Sequence, residues 1–215
     1  MSDKNELLYQ YANQHSQFWD EPRSQVLYEL ERATHLRTLA ANMLSGSLQG
    51  QFLSLISELI QPQTIVEVGT FTGYSAICLA QGLGEKGILH TIEIDEEKQL
   101  IISEFVQKAG LKNRVKLHVG DAKNIIPSLP DSIDLSFIDA DKESYDLYYE
   151  LLLKKTQTGG FLLIDNVLWH GKVLDPNPDR KTAAIQQFNQ KIRADTRVKR
   201  LLLPLRDGLL LVKKL

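Results

Sequence analysis

Residues Thr64 to Ser75, TIVEVGTFTGYS, decide how the chain is read. Thr64-Ile65-Val66-Glu67-Val68 is a short β-branched run, which suits a strand, and Gly69 ends it. The glycines Gly69 and Gly73 are spaced G-x-x-x-G, and a helix is predicted over 74–83. The same strand–turn–helix rhythm continues downstream. Ile88 to Ile94 reads as a second strand, 96–109 as a helix closed by Gly110, and Val115 to Val119 as a third strand. A short helix near 122–128 precedes a fourth strand, Ile133 to Ile138, and 142–155 reads as helical. Gly159 and Gly160 introduce a fifth strand, Phe161 to Ile164, followed by a helix at 180–193. Strands that alternate with helices make an α/β fold with a mostly parallel sheet covered on both faces. The final runs, 197–203 and 208–213, are joined by a short turn and must pair antiparallel.

Upstream the pattern is helical. Pro22 suits a first turn, and the apolar residues from Ser24 to Leu44 recur at three- and four-residue steps. Gly46 breaks that pattern, and Gly50 to Ile60 reads as another helix ended by Pro62. Residues 1–60 are therefore expected to form a helical cap on a core spanning 61–215, one domain overall.

Composition narrows the class. The chain has 215 residues, 43% hydrophobic and 24% charged, with 25 Lys and Arg against 27 Asp and Glu. This usage excludes a disordered, collagen-like or coiled-coil chain. A net charge of −2 gives no overall attraction to nucleic acid or to an anionic membrane. Cys78 is the only cysteine, which excludes an intrachain disulfide and a thiolate zinc cluster. The first residues lack the basic start and apolar stretch of a signal peptide, and no run approaches a membrane span. A cytoplasmic protein is expected.

In open α/β sheets the ligand lies beyond the carboxyl ends of the strands, where strand order reverses. The residues after each strand are thus the candidates. The turn at Gly69 permits close approach of a ligand, or is an ordinary glycine turn. Glu93, after the second strand, suits the two hydroxyls of a ribose, or is a solvated loop carboxylate. Asp121-Ala122, after the third, faces an adenine edge or caps the next helix. Taken together, the three indicate an adenosine ligand. After the fourth and fifth strands stand Asp139-Ala140-Asp141-Lys142 and Asp165-Asn166. Helix caps and Asx turns explain each pair alone. Side by side, Asp139, Asp165 and Asn166 are hard oxygen donors suited to Mg²⁺, or to Ca²⁺ or Mn²⁺, and not to zinc. Lys142 is a surface lysine or, beside a dication, a base.

These motifs carry a resemblance. Gly46-Ser47-Leu48-Gln49-Gly50-Gln51, Glu67 to Ser75, Phe137 to Lys142, and Asp165-Asn166-Val167-Leu168-Trp169 with Gly171 stand in the order found in one family. From about Met43 onward the chain resembles the class I S-adenosylmethionine-dependent O-methyltransferases of the catechol and caffeoyl-CoA type, bacterial branch. The resemblance implies a Rossmann-like seven-stranded core. It assigns Glu67, Gly69 and Ser75, with the backbone near Ser45, to the methionine end of S-adenosylmethionine, Met43 to the methyl-transfer site, and Phe71 to cofactor binding. It assigns Glu93 to the ribose, Asp121 and Ala122 to the adenine, and Asp139 to both cofactor and metal. Asp139, Asp165 and Asn166 would bind Mg²⁺ or another hard cation, and Lys142 would be the general base, with Asp139 and Asn166 in the catalytic set. The implied acceptor is a small aromatic with two adjacent hydroxyls, and a homodimer is expected.

Three other readings compete. One is a tRNA methyltransferase acting on 5-hydroxyuridine. Lys191, Arg193, Arg197, Lys199 and Arg200 are the basic cluster it would use, but no aromatics interleave with them. The others are a non-catalytic adenosine-binding domain and an NAD-dependent dehydrogenase, the latter disfavoured by the missing G-x-G-x-x-G. His170 lines the acceptor pocket or a surface loop. Phe18 and Trp19 pack in the cap or meet the acceptor. Cys78 reads as a buried helix residue.

Overall fold

A computed structural model describes residues 3–16 and 21–215. Phe18 and Trp19 lie outside the described residues. The elements run α1 (Asp3–Gln14), α2 (Glu21–Arg37), α3 (Gly46–Ile60), β1 (Thr64–Val68), α4 (Tyr74–Leu79), β2 (Ile88–Glu93), α5 (Gln99–Lys108) and β3 (Val115–Val119). Then follow α6 (Ala122–Ile125), β4 (Ile133–Ile138), α7 (Tyr145–Lys155), β5 (Thr156–Ile164), α8 (Arg180–Ala194), β6 (Val198–Leu203) and β7 (Leu209–Lys214). The seven strands form one sheet in the order β3-β2-β1-β4-β5-β7-β6. The first five are parallel, and β7 runs antiparallel to both β5 and β6. Strand order reverses between β1 and β4, so the crevice of an open α/β sheet opens there.

Alternation along the strands builds two cores. Ile65, Leu89, Leu135 and Leu163 face one side, where they pack with Leu27, Leu30, Leu53 and Ile77 from α2, α3 and α4. Val66, Ile92, Ile138 and Ile164 face the other, where they pack with Tyr149, Leu152, Phe188 and Ile192 from α7 and α8. The described upstream helices thus share a core with the sheet. Gly50 lets α3 lie against α4, since a Cβ there would sit 2.8 Å from the Tyr74 ring and 2.9 Å from Cys78 Sγ. Cys78 is fully buried on α4, as its helical position suggested. None of the described helices is long and apolar enough to cross a membrane.

Three expected boundaries move. The helix read from Ser24 to Leu44 ends at Arg37, and only a 3-10 turn, Ala41–Met43, follows. Its apolar stripe runs out of partners: Leu36 and Leu39 are exposed, and a helix without a buried face is weakly held. Gly46, read as a break, is the first residue of α3, with φ of +74°. β5 begins at Thr156 and not after the glycines. Its register slips between Ile133↔Thr156 and Leu135↔Phe161, and the extra residues bulge at Gly159, where φ is +85°.

His90 and His118 meet across β2 and β3, with Nδ1 and Nε2 3.0 Å apart. Burial holds the His90 imidazole down to about 4, helped by His118 and Lys116, and burial also lowers His118. Both are therefore neutral in the fold at pH 7. As pH falls below about 6.5, the unfolded chain takes up protons that the fold refuses. Stability is expected to drop from that point down to about pH 4, read as the urea midpoint. His90→Gln is expected to flatten the drop; an unchanged slope would remove the pair as its cause.

Candidate active site

The turn after β1 is set by contact with the end of β4. Gly69 has φ of +95°, and a Cβ there would lie 1.9 Å from the carbonyl oxygen of Asp139. The Asp139 N–H donates to Val68 O at 2.9 Å, while the Gly69 and Thr70 N–H groups both donate to Ile92 O. Glu93, at the end of β2, accepts the Phe71 N–H at 2.7 Å and the Asp95 N–H at 2.9 Å. That clamp holds Phe71 at a φ of 54°. The loop-carboxylate alternative for Glu93 therefore has no place here: the residue is buried and organises two turns.

Beneath the turn lies Glu67, fully buried. The Thr91 hydroxyl donates to its Oε2 at 2.5 Å, and Thr70, 2.5 Å from Thr91, donates in turn because the Thr91 proton is committed. Oε1 is buried with no hydrogen-bond partner. Burial pushes the carboxyl up to about 8; the Ser75 and Thr91 hydroxyls oppose the rise, and the charges of Asp139 and Glu93 add to it. A buried carboxyl with an unpartnered oxygen suits a positively charged ligand group.

The second cluster forms where β4 and β5 end side by side. Lys142 Nζ donates to Asp139 Oδ1 at 3.1 Å, to Asn166 Oδ1 at 2.7 Å and to the Tyr145 hydroxyl at 2.5 Å. An ammonium has three N–H bonds, and all three are used. The Tyr145 hydroxyl donates to the Asp165 carbonyl at 3.0 Å, and burial holds its pKa well above the usual range. Asp165 is 1% exposed. Its Oδ1 accepts the Asn166 N–H at 2.8 Å, and its Oδ2 accepts from Gln49 Nε2 at 2.6 Å. Burial, then the charge of Asp139, pushes its carboxyl up to about 6. Among the described residues no three His, Cys, Asp or Glu side chains gather as a metal cluster. Asp139, Asp165 and Asn166 make a different set, two carboxylates and an amide oxygen. Two carboxylates, the charge of Asp139 helping to raise the pKa of Asp165, with an amide oxygen beside them, fit a hard cation.

The other sequence candidates are placed less centrally. Asp121 caps α6 by accepting the Lys123 N–H at 2.9 Å, and Ala122 beside it is buried. Met43 is more than half exposed on its 3-10 turn. Ser45 is buried, and its carbonyl accepts from Arg206. His170 is exposed and faces Asp207 with Nδ1 3.5 Å from the carboxylate. Much of the basic cluster is paired internally: Lys191 with Asp146 and Glu150, and Arg197 with Glu150 and Asp195. Four residues were given no site role from the sequence, namely Thr91, Tyr145, Arg206 and Gln49, the last quoted only within the motif Gly46 to Gln51. Each is an ordinary polar residue whose partner lies far along the chain; only Tyr145, three residues beyond Lys142, carried a local signal.

A family model described as O-methyltransferase matches residues 15–215. A caffeoyl-CoA O-methyltransferase of Stellaria longipes is 32% identical over 219 residues, covering 96% of this chain and 89% of that protein. A catechol O-methyltransferase of Niastella koreensis is 36% identical over 155 residues, 70% of each chain. Among solved structures, an O-methyltransferase of Bacillus cereus in complex with SAH matches with a TM-score of 0.84 at 29% identity, covering 96% of both chains.

The contact at Gly69 is testable by itself. Gly69→Ala forces a left-handed backbone on alanine, a cost of roughly 1–2 kcal/mol, and adds a clash with Asp139. Gly110→Ala carries the backbone cost alone, since nothing lies within 4 Å of its Cβ position at φ of +71°. Thermal melting is expected to show Gly69→Ala losing several degrees more than Gly110→Ala, at about 2–4 °C per kcal/mol. Equal losses would mean that the two strand ends are not in contact.

Proposed function

The chain belongs to the O-methyltransferase family, and from that premise we propose that it moves the methyl group of S-adenosylmethionine to one hydroxyl of a vicinal-dihydroxy aromatic. We assign the reaction to the ends of β4 and β5, assisted by a hard divalent cation. One observation carries this reading: the side chains of Asp139 and Asn166 converge on Lys142 Nζ beside the buried Asp165. The names of the relatives, caffeoyl-CoA and catechol O-methyltransferases, support the acceptor class. The SAH complex of the B. cereus protein supports the methyl donor.

The residues take distinct parts. Glu67, Gly69 and Ser75, with the Ser45 backbone and Met43, border the methionine end of the donor; Glu93 and Phe71 border the ribose, and Asp121 and Ala122 the adenine. Asp139, Asp165 and Asn166 would hold the cation, Mg²⁺ or another hard dication. Bound there, it supplies positive charge that favours the ionised form of an acceptor hydroxyl. Lys142 would serve as the general base that takes the proton from the reacting oxygen. The oxygen lone pair forms the new bond to the methyl carbon as the carbon–sulfur bond breaks, and the electron pair returns to sulfur. The chain's main contribution is alignment of oxygen, carbon and sulfur, which can supply roughly 7–11 kcal/mol. Rigid turns at Gly69 and Asn166 serve that end.

Methyl transfer to catechol is expected to disappear after dialysis against EDTA and to return with Mg²⁺; full activity in EDTA would remove the cation from the scheme. Lys142→Ala is expected to lower kcat by about 10²–10⁴-fold, the usual worth of a general base, with recovery toward pH 10 as a phenol ionises unaided. Turnover equal to wild type would end the assignment of the base. The same assay with tRNA containing 5-hydroxyuridine is expected to give no product; methylation of that tRNA and not of catechol would reverse the acceptor class.

A further inference from the structure

Gln49 takes no part in the chemistry just described, yet it is wholly buried between two groups of opposite charge. Its Nε2 donates to Asp165 Oδ2 at 2.6 Å, and its Oε1 lies 3.4 Å from Arg206 Nη1, which donates to it. The same guanidinium nitrogen donates to the Ser45 carbonyl. The three side chains come from α3, the end of β5 and the turn between β6 and β7.

Chemistry allows one orientation of the amide. A carboxylate only accepts and a guanidinium only donates, so the NH₂ must face Asp165 and the carbonyl must face Arg206. A neutral amide joins such a pair; an apolar side chain joins neither. On its far side, Asp165 Oδ1 is held by the Asn166 N–H. The carboxylate plane is therefore fixed by backbone on one edge and by Gln49 on the other. The turn carrying Arg206 is itself anchored to the segment after Asn166. Val167 N–H donates to Gly208 O at 3.1 Å, Leu168 N–H donates to Asp207 O at 2.8 Å, and the Asp207 carboxylate accepts the His170 N–H.

Resting on the reading of Asp165 as a cation ligand, we propose that Gln49 and Arg206 are positioning residues acting in series. They set the plane of the Asp165 carboxylate and thereby the cation affinity of the site. Groups that orient a ligand typically change metal affinity by about 10–100-fold when removed. Arg206 reaches Asp165 through Gln49, so its effect on the cation site is expected to vanish once Gln49 is gone.

The test is Mn²⁺ binding by the full chain without acceptor, read by electron paramagnetic resonance. Gln49→Met keeps the bulk and removes both hydrogen bonds. Its Mn²⁺ dissociation constant is expected to rise about 10–100-fold, while affinity for S-adenosylhomocysteine stays that of wild type. Arg206→Met is expected to weaken Mn²⁺ by less, and the double variant to match Gln49→Met alone. Wild-type Mn²⁺ affinity in Gln49→Met, or losses that add in the double variant, would overturn the relay. A wild-type protein that binds no Mn²⁺ would instead remove the cation reading, and the relay's role with it. Should Gln49→Met fail to bind S-adenosylhomocysteine, Arg206→Met carries the test, and undiminished Mn²⁺ binding in that variant overturns the proposal.

Discussion

The backbone of Asp139 runs through the space where residue 69 would carry a side chain. Everything at the carboxyl end of the sheet depends on that contact. It brings the ends of β1 and β4 together at the point where strand order reverses, and so opens the crevice between the turns that follow them. Once Gly69 is in place, Glu93 can reach the Phe71 N–H across the neighbouring strand, and Asp139 is carried to the position from which Lys142 can span it and Asn166. A single methyl group at position 69 would displace both the turn after β1 and the backbone of Asp139. The glycine is thus fixed by packing before any ligand is considered.

The electrostatics follow from what this packing buries. Glu67 and Asp165 are both sealed from water, and each has its pKa raised chiefly by that burial and further by the charge of Asp139. The crevice therefore resists more negative charge and favours positive charge. A sulfonium with an ammonium group, and a divalent cation, are both of the favoured sign. Lys142 is the one cation hydrogen-bonded to the Asp139–Asn166 pair among the described residues, and its three hydrogen bonds show how the donors arrange around positive charge. The same field would favour the methyl donor and, on the reading proposed above, a cation at the ends of β4 and β5.

The framework was legible because parallel α/β units repeat a local signal: a β-branched run, a glycine or acidic turn, and a helix. Asp139, Lys142, Asp165 and Asn166 could be found from their places after strands, without knowledge of what they touch. The limits of legibility have physical causes. The stripe from Ser24 to Leu44 has helical spacing throughout, but spacing does not reveal that Leu36 and Leu39 find nothing to pack against. The glycines before Phe161 read as a strand start because a bulge inside a strand and a turn before it share the same residue types. Gln49 lies on a helix that is largely apolar, and its partner Asp165 is 116 residues away. No local rule distinguishes such a glutamine from one that merely caps a core.

The antiparallel pair at the end of the chain explains how so distant a residue as Arg206 reaches the site. In a parallel sheet each added strand brings its carboxyl end to the crevice. β7 runs the other way, with Ile164 paired to Leu210, so it brings its beginning there instead. The turn before β7 must then lie at the same edge as Asn166. Hydrogen bonds from Val167 and Leu168 to the carbonyls of Gly208 and Asp207 hold it there. Reversal of one strand thus supplies a turn on the fifth-strand side of the crevice, opposite the turn that follows β1. The β1 side gathers groups suited to the methyl donor. On the β5 side, that turn reaches the buried Asp165 carboxylate through Arg206 and Gln49.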